Sequence, residues 1–259
     1  LQSMTRIPGI FAKDISVAYN HILAIDGISN EVYAWGENNN GQLNYPGYTG
    51  ETRIKAKKIA SSSGFYPWSG FSIAIDESEN LVVWGTNGFA PTGEFKDFSI
   101  EKLPAVGGCT EVIAGDLFAY AICESDEKIY RWGKDGVSAP GVTGAKEIAC
   151  IPYTTPDPEA YFLLVLRQVG VSYDGGPHQV GRVSLLTAGA DGGLWDPPQT
   201  ITRLGLDPRI DIKHIAAGYN HFLALGSSGE VYAWGDNNRG QCGIPGITNA
   251  RSGVGCPDD

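Results

Sequence analysis

The chain has 259 residues, 42% of them hydrophobic, and a formal net charge of -10, which suits one all-β domain with a sizeable core. The acidic balance argues against direct binding to nucleic acid and to anionic membranes, since both need clustered Lys and Arg. No run of 18 apolar residues is present, so the sequence predicts no membrane-spanning helix.

The first strand-like patterns lie at residues 19–25, which read Tyr-Asn-His-Ile-Leu-Ala-Ile, and at 31–39, which read Glu-Val-Tyr-Ala-Trp-Gly-Glu-Asn-Asn. Apolar and polar residues that alternate in this way predict half-buried β-strands. Nearly the same two phrases return at 219–225 and 230–238. The chain therefore carries one repeating unit near both of its ends.

Tryptophan followed by glycine marks the same point in four units. These pairs are Trp35–Gly36, Trp84–Gly85, Trp132–Gly133 and Trp234–Gly235, and Ala188–Gly189 is a degenerate fifth copy. The glycines are 46 to 56 residues apart. A period of about fifty residues indicates a solenoid, a propeller or a similar array, and five units account for nearly the whole chain.

The second and third units keep the Ala-Ile and Trp-Gly halves of the pattern, and the fourth keeps only Val165–Leu166 and Gly189. The fourth unit also holds about a dozen extra residues. Asp174–Gly175 within them is a hairpin signal, so a projecting β-hairpin is predicted over 167–182. For the role of this insertion, a decorative loop is the favoured interpretation, and a functional projection is the alternative.

The fifth unit shows the elements most clearly. It predicts strands at 212–218, 222–225 and 230–235, with a turn at 226–229 and a loop at 236–241 that is rich in Asn and Gly. No segment longer than ten residues combines a helical period with helix caps. The sequence therefore predicts an antiparallel all-β array of short strands.

These units resemble the regulator-of-chromosome-condensation (RCC1) repeat family, whose pattern is Gly-x-x-His-x-x-Ala-Leu followed by Gly-x-Val-x-x-Trp-Gly-x-Asn-x-x-Gly-Gln-Leu-Gly. Residues 218–243 match it nearly position by position, with Cys242 in a leucine slot. The first unit matches with Ala18 and Asn44 in two glycine slots.

The resemblance implies a single domain over residues 1–259, folded as an all-β β-propeller of four-stranded antiparallel blades. Familiar members of the family close with seven blades, whereas five repeats are counted here. A five-bladed ring, a shortened ring and a piece of a larger protein all stay open. Closure by pairing of the two ends would remove exposed strand edges.

Two repeat slots read as packing positions. The tryptophans of the Trp-Gly pairs predict contacts between blades. The slot three residues before each Ala-Leu pair is also expected to pack, near the central channel, and it holds His21, Phe71, Phe118, Phe162 and His221. A metal site needs three or four converging ligands, and His178 and His214 fall outside matching slots.

No enzyme signature was found. The sequence has no Gly-x-Ser-x-Gly elbow, no phosphate-binding Gly-rich loop and no His-Glu-x-x-His helix. No catalytic residue, metal or cofactor is therefore expected.

Candidate partner-binding residues lie in the variable connections. The residues just ahead of the histidine slot should ring one mouth of the propeller, where exposed aromatics anchor protein interfaces. They are Tyr19, Asn20, Phe65, Tyr66, Trp68, Asp116, Leu117, Tyr161, Tyr219 and Asn220. The predicted hairpin adds Tyr173, Asp174 and His178. The alternative is that the first group merely caps the blade ends.

The resemblance implies a protein-binding module, with regulation of a small GTPase such as Ran as the leading hypothesis. In the nuclear exchange factor that names the family, a β-wedge from one blade helps to displace guanine nucleotide from Ran. Two alternatives stay open. One is an enzyme inhibitor resembling a bacterial β-lactamase-inhibiting propeller, and the other is a scaffold module of a larger protein.

The five cysteines are odd in number and include no Cys-x-x-Cys pair. They predict mainly small buried hydrophobes in a reducing compartment, with one bridge, such as Cys242 to Cys256, left open. No Asn-x-Ser/Thr sequon occurs. A cytoplasmic or nuclear location is favoured, and secretion stays open.

Overall fold

The computed structural model describes residues 6–43, 54–62, 70–87, 96–102, 108–115, 118–123, 127–133, 136–138, 142–151, 161–173, 176–188, 199–200, 210–218 and 221–243. All regular structure in these ranges is β-strand. None of them contains a helix long and apolar enough to cross a membrane.

Five antiparallel sheets follow one another along the chain, one for each predicted repeat, and we call them blades one to five. Blade one contains β1 (Ala12–Val17), β2 (His21–Asp26) and β3 (Val32–Gly36). Blade two contains β4 (Ala56–Ser61), β5 (Gly70–Asp76), β6 (Leu81–Asn87) and β7 (Lys96–Lys102). Blade three contains β8 (Glu111–Ala114), β9 (Ala119–Cys123), β10 (Lys128–Gly133) and β11 (Gly136–Ser138). Blade four contains β12 (Ala145–Cys150), β13 (Tyr161–Tyr173), β14 (Gly176–Ala188) and β15 (Gln199–Thr200). Blade five contains β16 (Ile212–Ala217), β17 (His221–Gly226) and β18 (Val231–Gly235).

The all-β fold predicted from the repeats is confirmed, and strands pair in chain order within each blade. Blades two, three and four have the four strands expected, and blades one and five have three among the described residues. The first strands of successive blades contact one another, from β1 and β4 through to β12 and β16. This arrangement places the first strands nearest the axis of the array.

A β-bulge recurs at the start of the first strand. The register shifts by one residue between Ala12 and Asp14, and the equivalent shift occurs in blades two, four and five. The residue in the bulge is a lysine each time, namely Lys13, Lys57, Lys146 and Lys213. Bulges and lysines both discourage edge strands from pairing with foreign strands, and these first strands are edges of their sheets.

The Trp-Gly pairs have a steric origin. Gly85 has φ of 100°, and a side-chain carbon there would lie 2.5 Å from the carbonyl oxygen of Gly70 on the paired strand. Gly36 repeats both features in blade one, where the nearest atom is the Asn20 carbonyl oxygen at 2.4 Å. Only glycine fits this slot.

Four hydrophobic clusters hold the blades together, one at each junction between successive blades. Leu23, Ile25 and Val32 of blade one pack with Ala74 and Trp84 of blade two, and three similar clusters follow. We call the face of a blade that packs on the next blade its outgoing face, and the opposite face its incoming face.

The predicted packing role of the tryptophans is confirmed for Trp84, Trp132 and Trp234, which are 1%, 2% and 9% exposed. Phe71 and Phe118 of the histidine slot are fully buried, as is His21. The slot lies within one residue of the start of each second strand. The side chain of Phe162 lies outside the described residues.

The predicted hairpin of blade four is also confirmed. Strands β13 and β14 have 13 residues each and pair without interruption from Tyr161 and Ala188 to Tyr173 and Gly176. The corresponding strands of blade three have five and six residues. The two extended strands therefore project past the rest of their blade.

The cysteine prediction left one bridge open, and the structure contains a bridge at a different pair from the Cys242–Cys256 example. Cys109 and Cys123 form a disulfide, whereas Cys150 and Cys242 are free thiols. Cys109 precedes β8 and Cys123 ends β9, so antiparallel pairing brings them together. Both lie in the cluster between blades two and three. Burial raises the pKa of Cys150 to about 12, which keeps that thiol protonated and unreactive.

Replacing Cys109 and Cys123 together with alanine should lower the free energy of unfolding by about 3 kcal/mol, because the bridge spans 14 residues. Urea unfolding followed by tryptophan fluorescence measures the change. Cys242→Ala, at a half-buried free thiol, is the control and should have a much smaller effect. If the unreduced, denatured protein shows five reactive thiols, the bridge does not form.

Candidate functional site

The described members of the two groups of sequence-predicted residues lie at opposite ends of the blades. Connections between first and second strands, such as 18–20, leave one end, which we call the loop face. Connections between second and third strands, such as 27–31, leave the other end, which we call the hairpin face. Antiparallel strands require this separation.

Neighbouring blades run in the same direction, so each face is shared by the whole array. Lys58 and Glu111 hold equivalent positions on β4 and β8, and their Nζ and Oε1 atoms lie 3.0 Å apart. Glu147 and His214 hold the same position on β12 and β16, with Oε2 and Nδ1 3.3 Å apart. The described candidates therefore lie on two surfaces rather than one.

Five of the thirteen candidates are within the described ranges. Tyr19 and Asn20 are on the loop face, His178 is on the hairpin, and Tyr161 and Tyr173 are the two ends of β13. Eight others lie outside the described residues, namely Phe65, Tyr66, Trp68, Asp116, Leu117, Asp174, Tyr219 and Asn220.

Tyr19 is highly exposed, at 80%. Its neighbour Asn20 is held in place, because Asn20 Nδ2 donates to Glu37 Oε2 at 3.0 Å and the Asn20 carbonyl accepts from the Glu37 amide. The backbone beneath Tyr19 is thus fixed while its ring faces solvent. This combination suits a contact residue better than a cap of the blade end.

Behind Asn20, a buried polar network ties blade one to blade two. His21 Nδ1 lies 3.1 Å from Asn20 Oδ1, and His21 Nε2 lies 3.1 Å from the Ser72 hydroxyl. Ser72 donates to the carbonyl of Gln42, which also accepts from the Trp84 indole at 2.9 Å. Burial lowers the pKa of His21 to about 4, so its imidazole is neutral near pH 7 and acts as a structural group.

The loops after the Trp-Gly pairs are built alike at both ends of the chain. In blade one, the Gln42 side chain accepts from the Asn40 amide and the Asn38 side chain accepts from the Leu43 amide. In blade five, Gln241 and Asn237 accept from the equivalent amides, those of Arg239 and Cys242. The repeated Asn and Gln therefore fold the loop and leave recognition to other residues.

The blade-four hairpin, residues 168–181, is anchored at its base to blade five. The Gly181 amide donates to Asp211 Oδ1 at 2.6 Å, and Arg182 Nη1 donates to the Ile210 carbonyl at 2.5 Å. A side-chain carbon at Gly181 would lie 1.8 Å from the carbonyl oxygen of Ile212. The base is too tight for any residue other than glycine, so the hairpin leaves the blade in a fixed direction.

The described part of the hairpin presents neutral groups. Gln168, Val169, Pro177 and Gln179 are exposed, and His178 is half-buried. Near the base of the hairpin, a shallow pocket of about 170 Å³ is lined by Ile210, Asp211, Gly226, Ser227, Ser228, Glu230 and Tyr232.

That pocket is acidic. The Ser228 hydroxyl donates to the Glu230 carboxylate and lowers the pKa of Glu230, so the group is ionised near pH 7. The hairpin face therefore has a negative pocket beside the base of the projection. Within the ranges that the structure describes, no three His, Cys, Asp or Glu side chains are grouped to hold a metal.

Comparison with family models identifies the repeats. Two models described as regulator of chromosome condensation (RCC1) repeat match the chain, one at residues 12–42 and 212–241 and the other at 228–255. These matches cover the two ends, where the quoted pattern is most complete.

Two curated relatives extend the likeness over more of the chain. Human E3 ubiquitin-protein ligase HERC2 is 29% identical over 240 residues, which covers 85% of this chain and 5% of that protein. The X-linked retinitis pigmentosa GTPase regulator of the dog is 25% identical over 139 residues, which covers 50% of this chain and 13% of that protein. The chain spans only a small part of either relative.

A solved structure supports the fold. The entire ectodomain of the receptor kinase CR4 from Physcomitrella patens superimposes with a TM-score of 0.52 at 16% identity, covering 90% of this chain and 53% of that chain. The likeness concerns the fold alone.

His21→Phe should flatten the pH dependence of stability between about pH 6.5 and 4. Unfolded histidine titrates near 6.5 and folded His21 near 4, so the unfolded state binds more protons in this window. Stability therefore falls as the pH falls, by up to roughly 3 kcal/mol. Phe is the residue that blades two and three use in this slot.

Urea unfolding at a series of pH values measures this effect. Ser72→Ala is the matched control, because it removes the hydrogen-bond partner and leaves the imidazole buried, so the slope should persist. Equal slopes for the unaltered protein and the His21→Phe variant would show that His21 is not the titrating group.

Proposed function

We propose that this chain, an RCC1-repeat protein with the β-propeller fold, is a protein-binding module that regulates a small GTPase through the blade-four hairpin. The observation that carries the proposal is the hairpin itself. It interrupts the repeat, projects beyond its blade and is fixed at its base by Gly181, Asp211 and Arg182.

A regulator of nucleotide exchange works by differential binding. It must bind the nucleotide-free GTPase more tightly than the loaded form, since a ligand shifts an equilibrium only by its difference in affinity for the two states. A stiff projection serves this purpose, because it enters a site without first losing conformational entropy. The continuous ladder from Tyr161 to Tyr173 provides that stiffness.

The comparisons add support from sequence. The GTPase regulator of the dog matches half of this chain, and its printed name carries the activity proposed here. The chain's net charge of -10 and the acidic pocket beside the hairpin base favour a partner with a basic surface. Ran is the first GTPase to test.

Replacing residues 169–180 with Asn-Gly should abolish any acceleration of nucleotide release. The two-residue turn suits antiparallel strands and would restore a hairpin of the length seen in the sister blades, while Gly181 and its contacts stay. Release of fluorescent GDP from Ran and from related GTPases is measured with each protein. Unchanged thermal unfolding of the variant shows that the blade is intact.

Two outcomes would count against the proposal. Without acceleration by the unaltered protein, the exchange activity is absent. If the shortened hairpin releases nucleotide as fast as the unaltered protein, the hairpin is not the contact element. Binding of the GTPase without release would place the protein among GTPase-binding modules that lack exchange activity.

The second candidate function is inhibition of an enzyme by the loop face, and the exposure of Tyr19 favours it. Because Tyr19 is 80% exposed, Tyr19→Ala should leave thermal stability unchanged. If the loop face binds the partner, the same change should weaken binding by about 2 kcal/mol, as loss of an aromatic anchor does. Isothermal titration with a bacterial β-lactamase as the probe enzyme measures the affinity.

The two candidates make opposite predictions for the two variants. Under the GTPase proposal the shortened hairpin loses function and Tyr19→Ala keeps it. Under the inhibitor proposal Tyr19→Ala loses function and the shortened hairpin keeps it. Because the hairpin and Tyr19 lie at opposite ends of the blades, each variant changes only one of the two faces.

A further inference from the structure

Blade five leaves its outgoing face uncovered. Val231 is 64% exposed and Leu225 is 36% exposed. Their counterparts in blade one, Val32 and Ile25, are 8% and 0% exposed because blade two covers them. Register pairs Ile25 with Val32 and Leu225 with Val231, so the positions are equivalent. Blade five thus has a packing face with nothing packed on it.

Blade one has the matching deficit on its incoming face. Ile15 is 63% exposed and Val17 is 67% exposed. Ile215, at the position of Ile15 in blade five, is 7% exposed because it packs against blade four. Trp35 is half-buried, whereas its counterpart Trp234 is 9% exposed.

The two uncovered faces are the two halves of one repeated junction. At each of the four internal junctions, an outgoing face packs on an incoming face. In the described part of the chain, no hydrophobic cluster joins blade five to blade one. The outgoing half is therefore present at one end of the array and the incoming half at the other.

Polar groups at the ends repeat the internal pattern. At the junction of blades one and two, Trp84 and Ser72 donate to the Gln42 carbonyl. Gln241 holds the Gln42 position in a loop of the same build, and Trp35 holds the Trp84 position. The acceptor of the junction is thus at the blade-five end, and the indole donor is at the blade-one end.

The charges are also compatible. One position on the first strand pairs side chains across two internal junctions. Lys58 forms an ion pair with Glu111, and the Glu147 carboxylate lies 3.3 Å from the His214 imidazole. Asp14 occupies this position in blade one. A fifth junction would therefore place the His214 imidazole near the carboxylate of Asp14, with no repulsion between like charges.

We propose that the outgoing face of blade five binds the incoming face of blade one in a second copy of this chain, head to tail. A second copy supplies the matching face. It offers apolar contacts as at all four internal junctions, an indole donor as at the junction of blades one and two, and a side-chain pair as at two junctions. Because the two halves differ, the interface is heterologous, and association continues into a chain or a closed ring. Exposed apolar faces of this kind mark association surfaces.

Two variants test the proposal. Ile15→Lys blocks the incoming face and Val231→Lys blocks the outgoing face, and both replace side chains that are more than half exposed, so folding should be kept. Light scattering coupled to gel filtration should show oligomers of the unaltered protein that grow with concentration. The association constant of each variant alone should be at least roughly thirtyfold lower than that of the unaltered protein, as expected for loss of a buried anchor.

Mixing the two variants gives the decisive measurement. The Ile15→Lys chain keeps its outgoing face and the Val231→Lys chain keeps its incoming face, so an equimolar mixture should form a dimer and nothing larger. Val169→Lys is the matched control, because Val169 is as exposed as Leu225 and lies on the hairpin. It should leave association unchanged.

Several results would overturn the proposal. A monomeric unaltered protein at every concentration would mean that something other than a second copy covers these faces. If the protein is monomeric and the new thiol of a Val231→Cys variant resists alkylation, the chain closes on itself. A mixture of the two variants that stays monomeric would exclude head-to-tail geometry.

Discussion

The structure depends on covering both faces of every blade. Strand β5 shows why: Phe71, Ile73 and Ile75 pack toward blade three, and Ala74 between them packs toward blade one. One strand therefore contributes to two cores at once. A slip of one residue would exchange the two sets of side chains, so the register of each blade must be held tightly. This requirement accounts for most of what the repeats have in common.

The shared motifs preserve that register. The bulge lysines mark where the first strands of blades one, two, four and five begin. The glycine of the Trp-Gly pair lies so close to the paired strand that a side-chain carbon on Gly85 would be 2.5 Å from the Gly70 carbonyl oxygen. Turn residues with positive φ also fix the register at the hairpin face. Asn30 of blade one and Glu79 of blade two have this conformation at equivalent positions of the repeat. The residues that the repeats share therefore have packing roles, and candidate partner-binding residues lie where the repeats differ. The blade-four hairpin is the largest such difference, and it extends an existing ladder rather than adding a new element.

Local patterns in the sequence predicted what local physics decides. The strands, the buried tryptophans and the hairpin around Asp174–Gly175 follow from alternation, repeat spacing and turn residues. The disulfide did not follow, because Cys109 and Cys123 meet only once the register of β8 on β9 is known. The hydrogen bond from Gly181 to Asp211 could not be predicted from the sequence either, since the two residues are 30 positions apart. Glycine is required at 181 because the backbone of Ile212 in blade five lies against it.

The sequence predicted two groups of candidate residues, and the direction of antiparallel strands assigns the loops and the hairpin to opposite ends of the blades. Tyr19 and His178 cannot contact the same small surface of a partner. The junction faces lie on neither end, because they are the sides of the blades, where Ile15 and Val231 are exposed. A second copy bound through those sides would leave both the loop face and the hairpin face open. Association would therefore multiply the number of hairpins presented to a partner, and multivalent binding gains strength without any new contact.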